Sequence, residues 1–151
     1  MSEPRFDPHG LIRMEEADCW EFLRQQRLGR IALFQYHRPL IYPVNYAVDG
    51  ESVVFRTSRG SKLTAAANEQ PVAFEVDAFD EHLEQGTSVI VHGVLTEIRD
   101  PSERGVADRL DVRTWAPGDR DHALRVRSQW ITGRRFPTPV EAAAVPGTQQ
   151  N

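Results

Sequence analysis

Residues 30–57 read RIALFQYHRPLIYPVNYAVDGESVVFRT. Three apolar, β-prone stretches follow one another here: Arg30–Tyr36 (RIALFQY), Pro39–Val48 (PLIYPVNYAV) and Ser52–Thr57 (SVVFRT). β-branched and aromatic residues suit a pleated, half-buried surface. The short link His37-Arg38 reads as a turn between the first two stretches, and Asp49-Gly50 is a strong two-residue hairpin signal between the second and third. The segment is therefore an antiparallel meander of three strands. Pro43 has no N–H to give to a ladder, so the second strand lies at an edge or breaks there. A break leaves nearby backbone groups free to meet a ligand.

Three more strands lie downstream: Val72–Asp77 (VAFEVD), Thr87–Ile98 (TSVIVHGVLTEI) and His122–Thr132. Gly93 in the middle of the fifth strand signals a bulge or sharp bend, which a small barrel needs in order to close. Helices are few and short. Glu15–Gln26 carries Cys19, Phe22 and Leu23 at helical spacing, with Gly29 as its stop. Lys62–Asn68 is alanine-rich with Ser61 as N-cap, and Pro101–Leu110 is a third helix. Ala78–Gly86 and Trp115–Gly118 read as loops. The fold class is mainly β: a six-stranded antiparallel barrel with a few short helices. Residues 1–13 read as a flexible arm, residues 14–137 as the single domain, and residues 138–151 as a disordered tail.

Composition narrows the function. The chain has 151 residues, 40% hydrophobic and 26% charged, as in an ordinary globule. No apolar run approaches the roughly 20 residues of a membrane helix, and the first residues lack a signal-peptide pattern, so no membrane role and a cytoplasmic location are expected. The net charge of −4 argues against nucleic acid. Cys19 is the only cysteine, which excludes an internal disulfide and reads as a packing residue. His9, His37, His82, His92 and His122 show no metal-ligand spacing, so no metal site is expected. Of the 18 basic residues, Lys62 alone is lysine.

Signatures of NTPases, dinucleotide-binding folds and serine hydrolases are missing. Glu75 and Asp77 share one face of a strand and read as a solvated pair. The informative stretch is Phe55-Arg56-Thr57-Ser58-Arg59-Gly60-Ser61-Lys62, where a strand ends, a glycine turn follows and a helix begins. Helix starts expose N–H groups and partial positive charge. Arg56, Arg59 and Lys62 add full charges, and Thr57, Ser58 and Ser61 add hydroxyls. Such a corner can cradle a phosphate.

These landmarks, in order, resemble the pyridoxamine 5′-phosphate oxidase-like flavin-binding split-barrel proteins, in particular short members similar to nitroimidazole-resistance proteins. The matching residues are Leu28–Ala32, Arg38-Pro39, Pro43–Tyr46, Asp49-Gly50, Val54–Thr57, Gly60–Lys62, Val72–Asp77, Ser88–Gly93, Trp115–Gly118 and Thr132–Phe136. The resemblance implies a split barrel that forms a homodimer with cofactor sites at the interface. It implies FMN as cofactor, with a deazaflavin coenzyme or haem as alternatives. It places the flavin ring against Pro43, Val44, Asn45 and Tyr46. It places the phosphate end at Arg56, Thr57, Ser58, Ser61 and Lys62. It also implies that Ser88 reaches the flavin from the partner subunit and that Trp115 lies near the interface. The sequence departs from the family at Thr87, where many members have tryptophan. It also lacks the longer C-terminal region with which true pyridoxamine phosphate oxidases contact substrate.

The implied function is a flavin-dependent oxidoreductase that passes hydride or electrons to a small molecule. A deazaflavin-dependent reductase and a non-enzymatic flavin or haem carrier or sensor are the alternatives. Catalytic residues stay unassigned, with Tyr46 and His122 as candidate proton donors.

Overall fold

A computed structural model describes residues 5–110 and 122–144. Seven strands occur in it: β1 (Ile12–Arg13), β2 (Leu28–Gln35), β3 (Arg38–Val48), β4 (Ser52–Thr57), β5 (Pro71–Asp80), β6 (Gln85–Glu97) and β7 (His122–Arg135). The helices are α1 (Glu16–Gln25), α2 (Ser61–Ala67), α3 (Gly105–Arg109) and α4 (Pro139–Ala143). The sheet order is β1-β7-β4-β3-β2-β5-β6, and β6 also pairs with β7, so the six long strands close into a ring. All pairings are antiparallel. This is the six-stranded split barrel, with two-residue β1 added from the arm. None of the described helices is long and apolar enough to cross a membrane.

Inward side chains of alternate strand residues fill the barrel. Ile31, Val53, Phe55, Phe74, Val89, Val91, Leu95, Leu124 and Val126 are all fully buried. Trp20 and Leu23 of α1 and Ala65 and Ala66 of α2 join this core. Burying a side chain such as Leu23 contributes about 1.5–3 kcal/mol, so the apolar face of α1 is held by packing rather than by propensity. A smaller cluster lies elsewhere, where Val54 and Ala123 pack with Ile98 and Ala107 of α3. Cys19 is part of the main core. Burial, aided by Asp18 and Glu16, pushes its thiol up to about 11, which makes it an inert packing residue.

Gly93 behaves as expected: the β6–β7 register shifts between His92 and Gly93. Several boundaries differ from the sequence reading. The β2–β3 turn is Tyr36-His37, one residue earlier than expected, with φ of 54° and 59°. Both residues are left-handed, as a type I′ turn requires. In the β3–β4 hairpin Asp49 and Ser52 exchange backbone hydrogen bonds, so the turn is Gly50-Glu51, with positive φ at Gly50. Gly29 does not stop α1. It sits inside β2, where a Cβ would come within 2.3 Å of Phe74 Cζ. The polar stretch 78–86 is mostly strand, because β5 and β6 extend through it in register to Asp80↔Gln85. The helix expected over 101–110 is two pieces: a 3-10 turn at Pro101–Glu103, capped by Asp100, and then α3.

The described parts of the two terminal stretches, residues 5–13 and 138–144, hold more regular structure than expected. Asp7 accepts hydrogen bonds from the backbone N–H of His9 and of Leu11, which folds the arm toward β7. Residues 138–144, expected to be disordered, contain α4. Thr138 and Glu141 form a complete capping box, and Arg135 grips both oxygens of Glu141 at 2.8 Å. The Arg135 guanidinium, with help from the Thr138 N–H, holds the Glu141 carboxyl down from its ordinary 4.5 to about 2. A depressed carboxylate pKa stabilises the folded state above the unfolded value and loses that effect as the proton returns. The docking of α4 should therefore be at full strength above pH 4.5 and weaken as pH falls toward 2. Amide exchange across residues 139–143 checks this; protection unchanged at pH 2 would contradict it.

Candidate functional site

The site builds from β3. Alternation along the strand turns Val44 and Tyr46 into the barrel, where they are 5% and 3% exposed, and leaves Pro43 and Asn45 outside. Val44 and Tyr46 can therefore face an external ligand only through their backbone. The Tyr46 hydroxyl donates to the Leu23 carbonyl at 2.7 Å, and the ring meets Phe74 edge-on at 4.9 Å. Burial raises the phenol well above its ordinary value. Tyr46 is thus a core anchor and not the proton donor that the sequence suggested. His122, the other candidate, lies opposite Thr57, with its Nδ1 2.8 Å from Glu97 Oε1. It begins β7, beside the end of β4, which separates it from β3.

The barrel opens between β3 and β4. These strands pair only at Tyr46↔Phe55, Ala47↔Val54 and Val48↔Val53. Beyond that point β4 runs on toward α2, and Arg38–Asn45 pairs only with β2 among the described strands. A strand flank without a neighbour presents backbone donors and acceptors. Of the two expectations at Pro43, an edge or a break, the edge holds: the flank is free and the strand is continuous.

The basic corner adjoins this opening. Gly60 is the N-cap of α2, with φ of 146°, a conformation that side-chain-bearing residues rarely adopt. Ser61 is the first helical residue and not the cap, and no side chain caps the helix start. Lys62 reaches back to β3, its Nζ 4.2 Å from the centre of the Tyr42 ring. Thr57 is buried and its hydroxyl donates to the Ser58 carbonyl at 3.1 Å. Arg56 lies on β4 and pairs in register with Ala123 of β7. The fold therefore brings the corner and the second predicted strand together through Lys62 and Tyr42.

Ser88 lies elsewhere. It belongs to β6 and lines a cavity of about 510 Å³ with Asp77, Thr87, Thr132, Arg134 and Phe136, among others. Its hydroxyl donates to Glu75 at 3.4 Å. Glu75 and Asp77 share one face, as expected, and both hold Arg30, at 3.3 and 3.0 Å. Trp115 lies outside the described residues.

The strand register links these places in a way the sequence alone concealed. One row of paired residues crosses five strands: Ile41, Ala32, Ala73, His92 and Trp130. The next row is Pro43, Arg30, Glu75, Ile90 and Thr132. Both rows lie on the outer face. Ile41 and Trp130 are 65% and 53% exposed, and His92 stacks on Trp130 at 4.7 Å. Pro43 marks one side of this face and the Ser88 cavity marks the other. The face is broad, largely apolar and unlike an ordinary solvated surface. Alternation in each strand was the signal for it, but only pairing shows that the outward residues align.

Comparison with known proteins places the chain among relatives. An uncharacterized protein of Mycobacterium tuberculosis is 39% identical over 94 residues, which is 59% of this chain and 79% of that protein. The solved FAD binding protein from Mycobacterium smegmatis is 38% identical with a TM-score of 0.67, covering 83% of this chain and 99% of that one. A FAD-binding protein from Mesorhizobium loti shares the fold at 21% identity and a TM-score of 0.73, covering 84% and 99%. The family model described as pyridoxamine 5′-phosphate oxidase matches residues 15–135. That span takes in α1 and all six long strands, and this chain belongs to the pyridoxamine 5′-phosphate oxidase family.

Proposed function

We propose that two copies of this chain bind flavin between them and use it to pass hydride or electrons to a small molecule. The observation that carries this reading is the opening beside β3, with the uncapped start of α2 next to it and Lys62 set against Tyr42. The similarity to a FAD binding protein that matches nearly end to end supports it. The residues fit the group. The α2 start and Lys62 suit a phosphate, and the free flank of β3 at Pro43–Asn45 suits the polar edge of a flavin ring. FMN meets these requirements, and it is the flavin we assign.

The outer face supports the dimer. A two-fold axis near Arg30 and Glu75 would lay the Pro43 side of one copy over the Ile90–Thr132 side of the other, since an isologous interface pairs each patch with its counterpart. Ser88 and its cavity would then approach the partner's β3. When bound, the flavin would supply the redox chemistry. The protein would anchor the phosphate at Lys62, present the β3 backbone to the ring, and exclude water with apolar side chains of the paired faces. Tyr46 would hold β3 in place through Leu23 rather than exchange a proton.

Lys62→Ala should weaken flavin binding by about 1–3 kcal/mol, the range for a charge-assisted hydrogen bond. Quenching of flavin fluorescence on titration measures this, and circular dichroism should show an unchanged fold. Equal affinity in the two proteins would mean that the phosphate lies elsewhere. Reduction of the bound flavin by a reduced nicotinamide, followed by reoxidation with nitro or quinone acceptors, tests turnover. No reduction by any donor would leave a carrier.

A further inference from the structure

A cavity of about 750 Å³ opens where α1 ends against β3. Its walls include Arg24, Arg27, Arg109 and Asn45, with Tyr46 and Leu110 beside them, and among the described residues no carboxylate lines it. Three guanidinium groups around one space repel each other and favour an anion between them. The chain as a whole is acidic, at −4, so this concentration of positive charge is local.

Each arginine arrives from a different element. Arg24 is in the last turn of α1 and has Glu21 at 3.7 Å. Arg109 is in the last turn of α3. Both therefore also balance helix ends. Arg27 does not, because it lies beyond α1. Its carbonyl accepts the Tyr46 N–H at 3.1 Å, which fixes it beside Asn45 on the predicted ring strand. Among the described residues Arg27 and Arg109 have no acidic partner within 4 Å. Guanidinium groups match phosphate oxygens two at a time, whereas lysine acts as a point charge. The volume lies within the range of small-molecule sites.

We propose that this cavity is a second phosphate site, which takes a phosphate or pyrophosphate group. That group belongs to a phosphorylated ligand separate from the flavin: the two phosphates of a dinucleotide flavin are bonded to each other, and Lys62, where the flavin phosphate is placed, is not among the walls of this cavity. Its position beside Asn45 ties it to the flavin reading above, but the anion site itself can be tested without flavin.

The test is calorimetric titration of the full-length protein with pyrophosphate and ADP, and separately with FMN and FAD. Wild type is compared with Arg27→Ala and Arg109→Ala, with thermal unfolding as the check on folding. Pyrophosphate and ADP should bind wild type and lose at least about tenfold in affinity in each variant, as expected for loss of a charged hydrogen-bonding partner. FMN affinity should not change. If FAD binds more tightly than FMN only in wild type, the arginines hold the cofactor's own pyrophosphate, which would overturn a separate ligand here. If FAD and FMN bind alike and ADP still binds the FMN-loaded protein, the group belongs to a second ligand. Absence of pyrophosphate and ADP binding, or equal binding in folded variants, would overturn the proposal. Failure of FMN to bind wild type would instead count against the flavin reading, with the pyrophosphate result still decisive for the arginines.

Discussion

Ala73→Arg should convert a flavin-binding dimer into a monomer with little affinity for flavin. Ala73 sits on β5 in the middle of the outer row, between Ala32 of β2 and His92 of β6. In the proposed dimer a small residue there would let two faces approach, and two-fold symmetry would introduce every substitution twice. Arginine at the centre would bring two cations together on a face whose nearby carboxylate, Glu75, is already held by Arg30. A buried charge with no partner costs roughly 3–5 kcal/mol, enough to raise a dimer dissociation constant by more than about a hundredfold. The barrel itself should survive, because the side chain leaves the core untouched. Light scattering with size separation would read the mass, and a flavin titration would read the affinity. A variant that stays dimeric, or a monomer that keeps full flavin affinity, would mean that this face is not where the site is completed.

Gly93→Val should be the most damaging single change to the barrel. A Cβ at this position would lie 2.0 Å from the carbonyl oxygen of Arg127 and 2.8 Å from its carbonyl carbon. Those are backbone atoms of β7, held in the long β6–β7 ladder on both sides of the bulge. The clash cannot be relieved by turning a side chain. Forcing the strands apart should cost about 3 kcal/mol or more, a large part of a domain's stability. For a chain of this size the melting temperature should fall by about 10 °C. Gly105→Ala is the control. Its added carbon would make an ordinary 3.6 Å contact with Arg109, and it should melt near wild type. A Gly93→Val protein with wild-type melting would mean that the bulge lies elsewhere.

Much of the barrel was legible in the sequence because its signals are local. The β-prone runs, the Gly93 bulge and the alanine-rich helix each need only a few neighbouring residues. Features that depend on distant partners were not legible. Gly29 looks like a helix stop until Phe74 is seen packed against it. The polar run 78–86 looks like a loop until pairing with its own hairpin partner carries the strands through it. Thr138 and Glu141 already spelled a capping box, but the helix they start is secured by Arg135.

The candidate site divides in the same way. The corner at Gly60–Lys62 was readable as charge beside a helix start, and the fold places it against β3. The inward aim of Val44 and Tyr46 followed from alternation with Pro43, yet the resemblance drew attention to the whole stretch. The outer rows and the cavity shared by Arg24, Arg27 and Arg109 need the register and the packing of α1 and α3. Arg24 and Arg27 are three residues apart, but no spacing in the sequence connects them to Arg109.

Native mass spectrometry of the purified protein, with and without added FMN, tests the central claim most directly. The account predicts a dimer that carries two flavins and releases both when it is dissociated into single chains. A monomer that holds flavin by itself, or a dimer that takes up none at saturating FMN, would contradict it.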